Sequence, residues 1–188
     1  MEPASPPRAG SFADIPERNT ADNLLRNVQQ HHITLSMMAD NKANIIITVA
    51  SIVLTLVFGR TTDASLRLSA LTLGVFTLIA LLLAILAVLP KYRLLKPHGA
   101  ELPAQFNPLF FGHFGTLTRD RYLDEMHKVL TPDGTPYAAW VADIYALGSY
   151  LDRHKYRYLR WSYLFFLAGF VLAAAEQAWR LFASADTP

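Results

Sequence analysis

This sequence contains no cysteine and few charged residues. None of its 188 residues is cysteine, which excludes disulfide bonds and is compatible with a reducing cytoplasm. Asp, Glu, Lys and Arg make up 17% of the chain, whereas about a quarter of an average soluble domain is charged. The formal net charge is only +2 and the basic residues gather beside apolar segments, so a nucleic acid polymer is not an expected partner.

Motifs that carry catalysis are also missing. The sequence has no glycine-rich phosphate loop, no nucleophile elbow and no paired acid and base, so we expect no enzyme and no catalytic residue. Asp120, Asp124 and His127 share one helical face at spacings of 4 and 3. A metal site needs a matching ligand from a second segment, which the sequence does not offer, so no metal and no cofactor are expected.

Three apolar segments contain few charges or none. The longest covers 22 residues at 68–89 (LSALTLGVFTLIALLLAILAVL), and about 20 suffice for a helix to cross a membrane. Residues 43–59 are 17 uncharged residues, and residues 161–179 begin and end with tryptophan, which is typical of membrane interfaces. A buried helix of a soluble core is the alternative for 43–59. Residues 1–19 hold four prolines and no apolar run, so we expect no secretory signal peptide.

These segments predict an all-α integral membrane protein with three transmembrane helices, a long cytoplasmic N-terminal helix and a small helical cytoplasmic insert. The long helix follows because residues 20–58 contain neither proline nor glycine. We expect a disordered N-terminus at 1–18, a cytoplasmic helix at 19–42 that continues into the first span at 43–59, an external link at 60–67, the second span at 68–89, the cytoplasmic insert at 90–160, the third span at 161–179 and an external tail at 180–188.

Lysine and arginine predict the orientation of these spans. The link 60–67 carries two of them, whereas the segment 90–160 carries ten. Because positive residues stay on the cytoplasmic side, we expect the N-terminus and the insert in the cytoplasm. Anionic membrane lipids are expected partners of the basic residues at the membrane edge.

Three blocks of the sequence resemble signature blocks of the Pycsar transmembrane effector family, which belongs to the pyrimidine cyclase system for antiphage resistance. They are residues 39–59 (ADNKANIIITVASIVLTLVFG), 107–115 (NPLFFGHFG) and 154–166 (HKYRYLRWSYLFF). The resemblance covers residues 22–171, and its most specific part is the Ala-Asp-x-Lys-Ala pattern at the start of the first block.

The resemblance implies an antiphage defence effector. Such a protein responds to a cyclic pyrimidine mononucleotide, cCMP or cUMP, that a partner pyrimidine cyclase makes. It then impairs the integrity of the inner membrane, which arrests or kills the infected cell. We expect it to act as a homo-oligomer. The alternative from a different class is a non-permeating membrane receptor or anchor that binds a partner protein.

One stretch offers the side chains that a cyclic nucleotide needs. The phosphate needs a cation or a helix N-terminus, and the base needs a flat surface and room for close approach. The residues that we predict for these roles are Phe111, Gly112, Phe114, Arg119 and Arg121. The alternative is that the aromatic rings pack against the bilayer or the long helices, while the arginines are solvated or contact lipid.

A second group of polar residues lies at the start of the first span and within it. Asp40 and Asn44 share a helix face, and with a basic residue from the cytoplasmic segment they form a candidate gating contact beside Lys42. A membrane anchor and cap is the alternative. Further along the same helix, Thr48, Ser51 and Thr55 continue from Asn44 at helical spacing and form a polar stripe that extends into the membrane. They face either another subunit, a water-filled lumen, or the second span of the same chain at Ser69, Thr72 or Gly74.

Overall fold

The computed structural model describes residues 19–89, 102–103, 106–131 and 136–185. Within these ranges every regular element is helical and no strand occurs. The predicted disordered N-terminus at 1–18 lies outside the described residues, as do residues 90–101 of the predicted insert and residues 186–188 of the predicted tail.

Six α-helices and one π-helical segment make up the described chain. They are α1 (Asn19–Phe58), α2 (Arg67–Val88), α3 (Phe111–Phe114), α4 (Arg119–Leu130), α5 (Pro136–Tyr150), a π-helical segment (Leu151–Tyr156) and α6 (Arg157–Ala185). Local sequence explains two of their ends. Leu89 after α2 is extended, as expected for a residue that precedes a proline. Pro136 stands first in α5, where its missing N–H has no helical partner to lose.

Three stretches of helix are long and apolar enough to cross a membrane. They are Thr20–Phe58, Arg67–Val88 and the continuous helical stretch Pro136–Ala183. The predicted fold class is therefore confirmed: the described chain is all-helical, with three candidate spans and a long N-terminal helix.

The chain divides into two compact units. The insert unit comprises residues 19–33 and the described residues from 102 to 149, and the membrane unit comprises 34–89 and 150–185.

In the membrane unit, α2 packs along α6. Gly169 permits the close approach, because a Cβ at this position would lie 2.7 Å from the Cβ of Phe76. Ser162 is completely buried between these helices and donates a hydrogen bond to the Ala80 carbonyl at 2.7 Å. Small residues thus let the two helices meet closely, as is usual between helices in membranes.

The part of α1 in the membrane unit packs through one narrow stripe. The buried residues recur at helical spacing and most are alanine: Ala39, Ala43, Ile46, Ala50 and Val57. The first two form a cluster with Ala87 of α2 and Leu159 of α6. Large apolar residues on the other faces of this helix remain exposed, as expected for side chains that meet lipid.

In the insert unit, the first turns of α1 pair with α5. The Tyr137 hydroxyl donates to Asp22 Oδ1 at 2.6 Å. Further along, a Cβ at Gly148 would lie 3.1 Å from the imidazole Cε1 of His32, so glycine lets the two helices come close there.

Candidate functional site

The loop 106–118 is held in place by Asn107. Its side-chain Nδ2 donates to Asp143 Oδ1 of α5 at 2.7 Å, and its Oδ1 accepts a hydrogen bond from the Leu109 N–H at 2.9 Å. Its backbone N–H donates to His113 Nδ1 at 3.0 Å. Asn107 therefore fixes the start of the NPLFFGHFG block to α5 and to the α3 turn.

His113 is the titratable side chain within this loop. Burial lowers the pKa of His113 from its ordinary value of 6.5. Its ring lies beside Phe106 and Phe110, with centroid distances of 5.9 and 5.1 Å. Because Nδ1 accepts the Asn107 hydrogen bond, the neutral ring carries its proton on Nε2. The loop geometry thus matches neutral histidine.

The predicted nucleotide residues in α3 differ in their surroundings. A Cβ at Gly112 would lie 2.5 Å from the Phe110 ring, so a larger residue would have to displace that ring. Phe114 packs on Tyr122 with 4.8 Å between ring centroids. Phe111 is 56% exposed and is the member of this group with the most surface open to a ligand.

Arg119 and Arg121 lie in the first turn of α4, directly after the extended residue Thr118. Arg119 is exposed and Arg121 is half-buried. The positive end of the helix dipole adds to their charge, so this end of α4 favours an anion. Their assignment as phosphate contacts, like that of Phe111, Gly112 and Phe114 to the base, stays a prediction.

Asp40 has the basic partner that the sequence left open. Lys155 Nζ, in the π-helical segment, donates to both Asp40 carboxylate oxygens at 2.8 Å and to Ser36 Oγ at 2.8 Å. The Lys155 side chain is 11% exposed and the Asp40 side chain 36%. Lys42 and Asn44 are exposed. π-Helical turns are rare in proteins, and those that occur are often found at functional sites. This ion pair is therefore a candidate control point.

Thr48, Ser51 and Thr55 lie on an exposed face of α1. Each hydroxyl donates to the backbone carbonyl four residues earlier, at 2.9, 2.7 and 2.9 Å. The polar stripe therefore satisfies its own donors within the helix.

Within the described chain, the exposed hydroxyls of Thr48, Ser51 and Thr55 do not bond to the second span. Ser69 and Thr72 of α2 pair with α6 instead, where Gln177 Nε2 donates to Ser69 Oγ at 2.7 Å and Thr72 Oγ1 donates to Glu176 Oε1 at 2.9 Å. Gly74 lies beside Val57 of α1, because a Cβ at Gly74 would be 3.2 Å from Val57 Cγ1. The seam of α1 is apolar because its alanine stripe permits a closer approach than threonine.

Comparison with protein families decides the relationship. The family model described as the Pycsar effector protein domain matches residues 23–179. The chain belongs to the Pycsar effector family. The three blocks at 39–59, 107–115 and 154–166 all fall within the matched range, and the predicted resemblance is confirmed. No curated protein and no solved structure matches the chain.

This Pycsar effector is accordingly an antiphage effector and a multi-pass membrane protein. The Pycsar effector family is one of signal-responsive effectors rather than of catalysts. Its system implies a partner cyclase that produces a cyclic pyrimidine signal.

Some residues of the Pycsar effector site were not singled out from the sequence. Gln29 Nε2 donates to Asp143 Oδ2 at 3.2 Å, and Trp140 Nε1 donates to Gln29 Oε1 at 2.9 Å. Asp143 is the one charged residue in the α5 sequence Pro136–Tyr150. A lone carboxylate in an otherwise apolar helix requires hydrogen-bond partners, so the sequence alone could have indicated Asp143.

Proposed function

We propose that this Pycsar effector responds to cCMP or cUMP and impairs the integrity of the inner membrane, which arrests or kills the infected cell. The family match supports the defence role, and the exposed polar face of α1 supports the membrane step. The working form is a homo-oligomer, since a single copy leaves this polar face without a neighbouring helix.

The polar face of α1 is the observation that carries the membrane step. Asn44, Thr48, Ser51 and Thr55 are exposed within a candidate span. Polar side chains at membrane depth avoid lipid, and Ser51 with Thr55 forms a small-xxx-small pair that allows close helix approach. Association of several copies either packs these faces together or lines a wet lumen with them, and a lumen lets ions pass.

The ion pair between Asp40 and Lys155 holds the resting state in this proposal. It lies within the membrane unit, one turn before Asn44 on α1. Lys155 is nearly buried, so separating the pair is costly, while the partly exposed Asp40 carboxylate stays within reach of water, which suits a latch that opens on a signal.

The orientation in this proposal follows the positive-inside rule. The N-terminus and the segment 90–160 lie in the cytoplasm, and basic residues of that segment near the membrane edge contact anionic lipids at the inner surface of the bacterial inner membrane.

Membrane depolarisation after co-expression with a pyrimidine cyclase tests the proposal. Cells with the wild-type effector should take up a voltage-sensitive dye when the cyclase is active and stay polarised when it is inactive. Ser51→Leu with Thr55→Leu should abolish depolarisation, because the added bulk prevents close approach and removes the polar path. The matched control, Val49→Leu with Ile52→Leu, changes exposed apolar positions of the same helix and should depolarise like the wild type.

Membrane fractionation shows whether each variant is inserted. If the inserted Ser51→Leu, Thr55→Leu variant depolarises cells as the wild type does, the polar face has no part in the membrane step. If wild-type cells stay polarised with an active cyclase, the proposed function is wrong.

Single cysteines distinguish packed faces from a lumen, because no native cysteine interferes. With Cys introduced at Thr48, Ser51 or Thr55, crosslinking between subunits in the presence of the signal indicates a helix interface. Labelling by a water-soluble thiol reagent indicates a lumen.

A further inference from the structure

The insert unit contains a cavity of about 420 Å³. This volume falls within the range of about 300 to 1,000 Å³ that is common for small-molecule sites. One wall is apolar and comes from the loop and α4, through Leu109, Met126 and Val129. A second wall is polar and comes from α1 and α5, through Gln29, Trp140 and Asp143.

The polar wall is a connected set of hydrogen bonds. Trp140 Nε1 donates to Gln29 Oε1 at 2.9 Å, and Gln29 Nε2 donates to Asp143 Oδ2 at 3.2 Å. Asn107 Nδ2 holds the other Asp143 oxygen at 2.7 Å. These contacts fix the orientation of the carboxylate and the amide. Each carboxylate oxygen can accept a second hydrogen bond, and the Gln29 amide has a second N–H to donate.

A flat, amphipathic ligand matches these walls. Apolar side chains and the indole of Trp140 suit the faces of an aromatic ring, and the carboxylate suits an amino group on its edge. Aspartate accepts from the exocyclic amino group of cytosine in other recognition sites, and an amide beside it can donate to the adjacent ring nitrogen or carbonyl. Uracil has a carbonyl in place of the amino group, which a carboxylate repels.

The phosphate of such a ligand must lie away from Asp143, because like charges repel. Arg26 is exposed on α1 one turn before Gln29, and side chains three residues apart are neighbours on a helix. It supplies a cation at the same stretch of α1 as the polar wall.

We propose that this cavity binds the signal nucleotide, with a cytosine base between Trp140 and the apolar wall and its amino group on Asp143. The inference rests on the proposed function and moves the ligand from the loop surface at Phe111, Arg119 and Arg121 into the cavity. It also gives the NPLFFGHFG block a role, since Leu109 lines the cavity and Asn107 holds the Asp143 carboxylate.

Calorimetric titration of the full-length protein in detergent with cCMP and with cUMP tests the inference. We expect the wild type to bind cCMP at least tenfold more tightly than cUMP. Ala139→Trp fills the cavity without removing a hydrogen bond and should lower cCMP affinity at least tenfold. Its matched control, Ala142→Trp, changes an exposed position of the same helix and should bind within twofold of the wild type.

Asp143→Asn is a second variant that retains the side-chain shape. It should lose the preference for cCMP, because an amide can face a carbonyl as well as an amino group. The thermal unfolding curve of Ala139→Trp shows whether that variant folds. If it does not fold, Asp143→Asn still tests the inference.

Four outcomes are distinguishable. Loss of binding in Ala139→Trp but not in Ala142→Trp supports the cavity. Normal binding by both Ala139→Trp and Asp143→Asn overturns it and leaves the proposed function intact. Loss in Arg119→Ala with Arg121→Ala, while Ala139→Trp binds normally, assigns the ligand to the loop surface. If the wild type binds neither nucleotide and an active cyclase causes no depolarisation, the cavity assignment and the proposed function both fail.

Discussion

Replacing Lys155 with methionine isolates the contribution of the Asp40 ion pair, because methionine keeps the apolar stem and removes the ammonium group. The change deletes three hydrogen bonds of 2.8 Å and leaves the Asp40 carboxylate without its cation. Breaking a fully buried pair costs about 3–5 kcal/mol. Asp40 is 36% exposed, so water can replace part of the lost contact.

We therefore expect a loss of about 2 kcal/mol, the range for hydrogen bonds to charged groups. At about 2–4 °C per kcal/mol for a chain of this size, the unfolding temperature should fall by roughly 4–8 °C. Thermal unfolding of the detergent-solubilised protein, followed by tryptophan fluorescence, measures this change. Lys42→Met is the matched control, since Lys42 is exposed, and it should shift the midpoint by no more than about 2 °C.

A double variant completes the test. If the pair interacts as described, Asp40→Asn with Lys155→Met should lower the free energy of unfolding by less than the sum of the two single changes. Equal losses of unfolding free energy in Lys155→Met and Lys42→Met, or strict additivity in the double variant, would refute the reasoning. If the pair is also the latch of the resting state, Lys155→Met should depolarise cells without an active cyclase.

Three further predictions concern the loop, the helix packing and the orientation. Burial lowers the pKa of His113 below 6.5, so the unfolded chain takes up its proton first as the pH falls. The unfolding temperature should therefore drop as the pH decreases below 6.5, and His113→Asn, which keeps a hydrogen-bond acceptor, should remove that part of the dependence. Gly169→Val would meet a side chain of α2 at 2.7 Å and should cost about 1–3 kcal/mol in thermal unfolding, whereas Ala174→Val on the exposed face should be nearly neutral. Alkaline phosphatase fused after Asp63 should be active and fused after Leu130 inactive, and the reverse pattern would invert the proposed topology.

The helices were predictable because hydropathy and the spacing of proline and glycine act locally. The span 68–89 lacks charge altogether, and the helix Arg67–Val88 coincides with it apart from one residue at each end. The packing face of α1 was harder to predict. Its alanine stripe and its hydroxyl stripe have the same helical period, and periodicity alone cannot say which one faces the bundle.

Pairings between distant parts of the chain were not predictable in detail. Lys155 lies 115 residues after Asp40, and ten basic residues in 90–160 were equal candidates for that partner. The Gln29 and Asp143 contact spans 114 residues. Contacts of this kind depend on how helices meet, and local sequence patterns do not reveal the register between helices.

The self-bonded hydroxyls of α1 have a consequence for the life of the host cell before infection. Since Thr48, Ser51 and Thr55 each donate to their own helix, a lone copy can reside in lipid with these three hydroxyl donors satisfied. Their oxygens still have lone pairs to offer to water or to a neighbouring chain. Under the proposed function, such a span is tolerated while the copies are separate and impairs the membrane only when they associate, so a cell can hold the effector before infection.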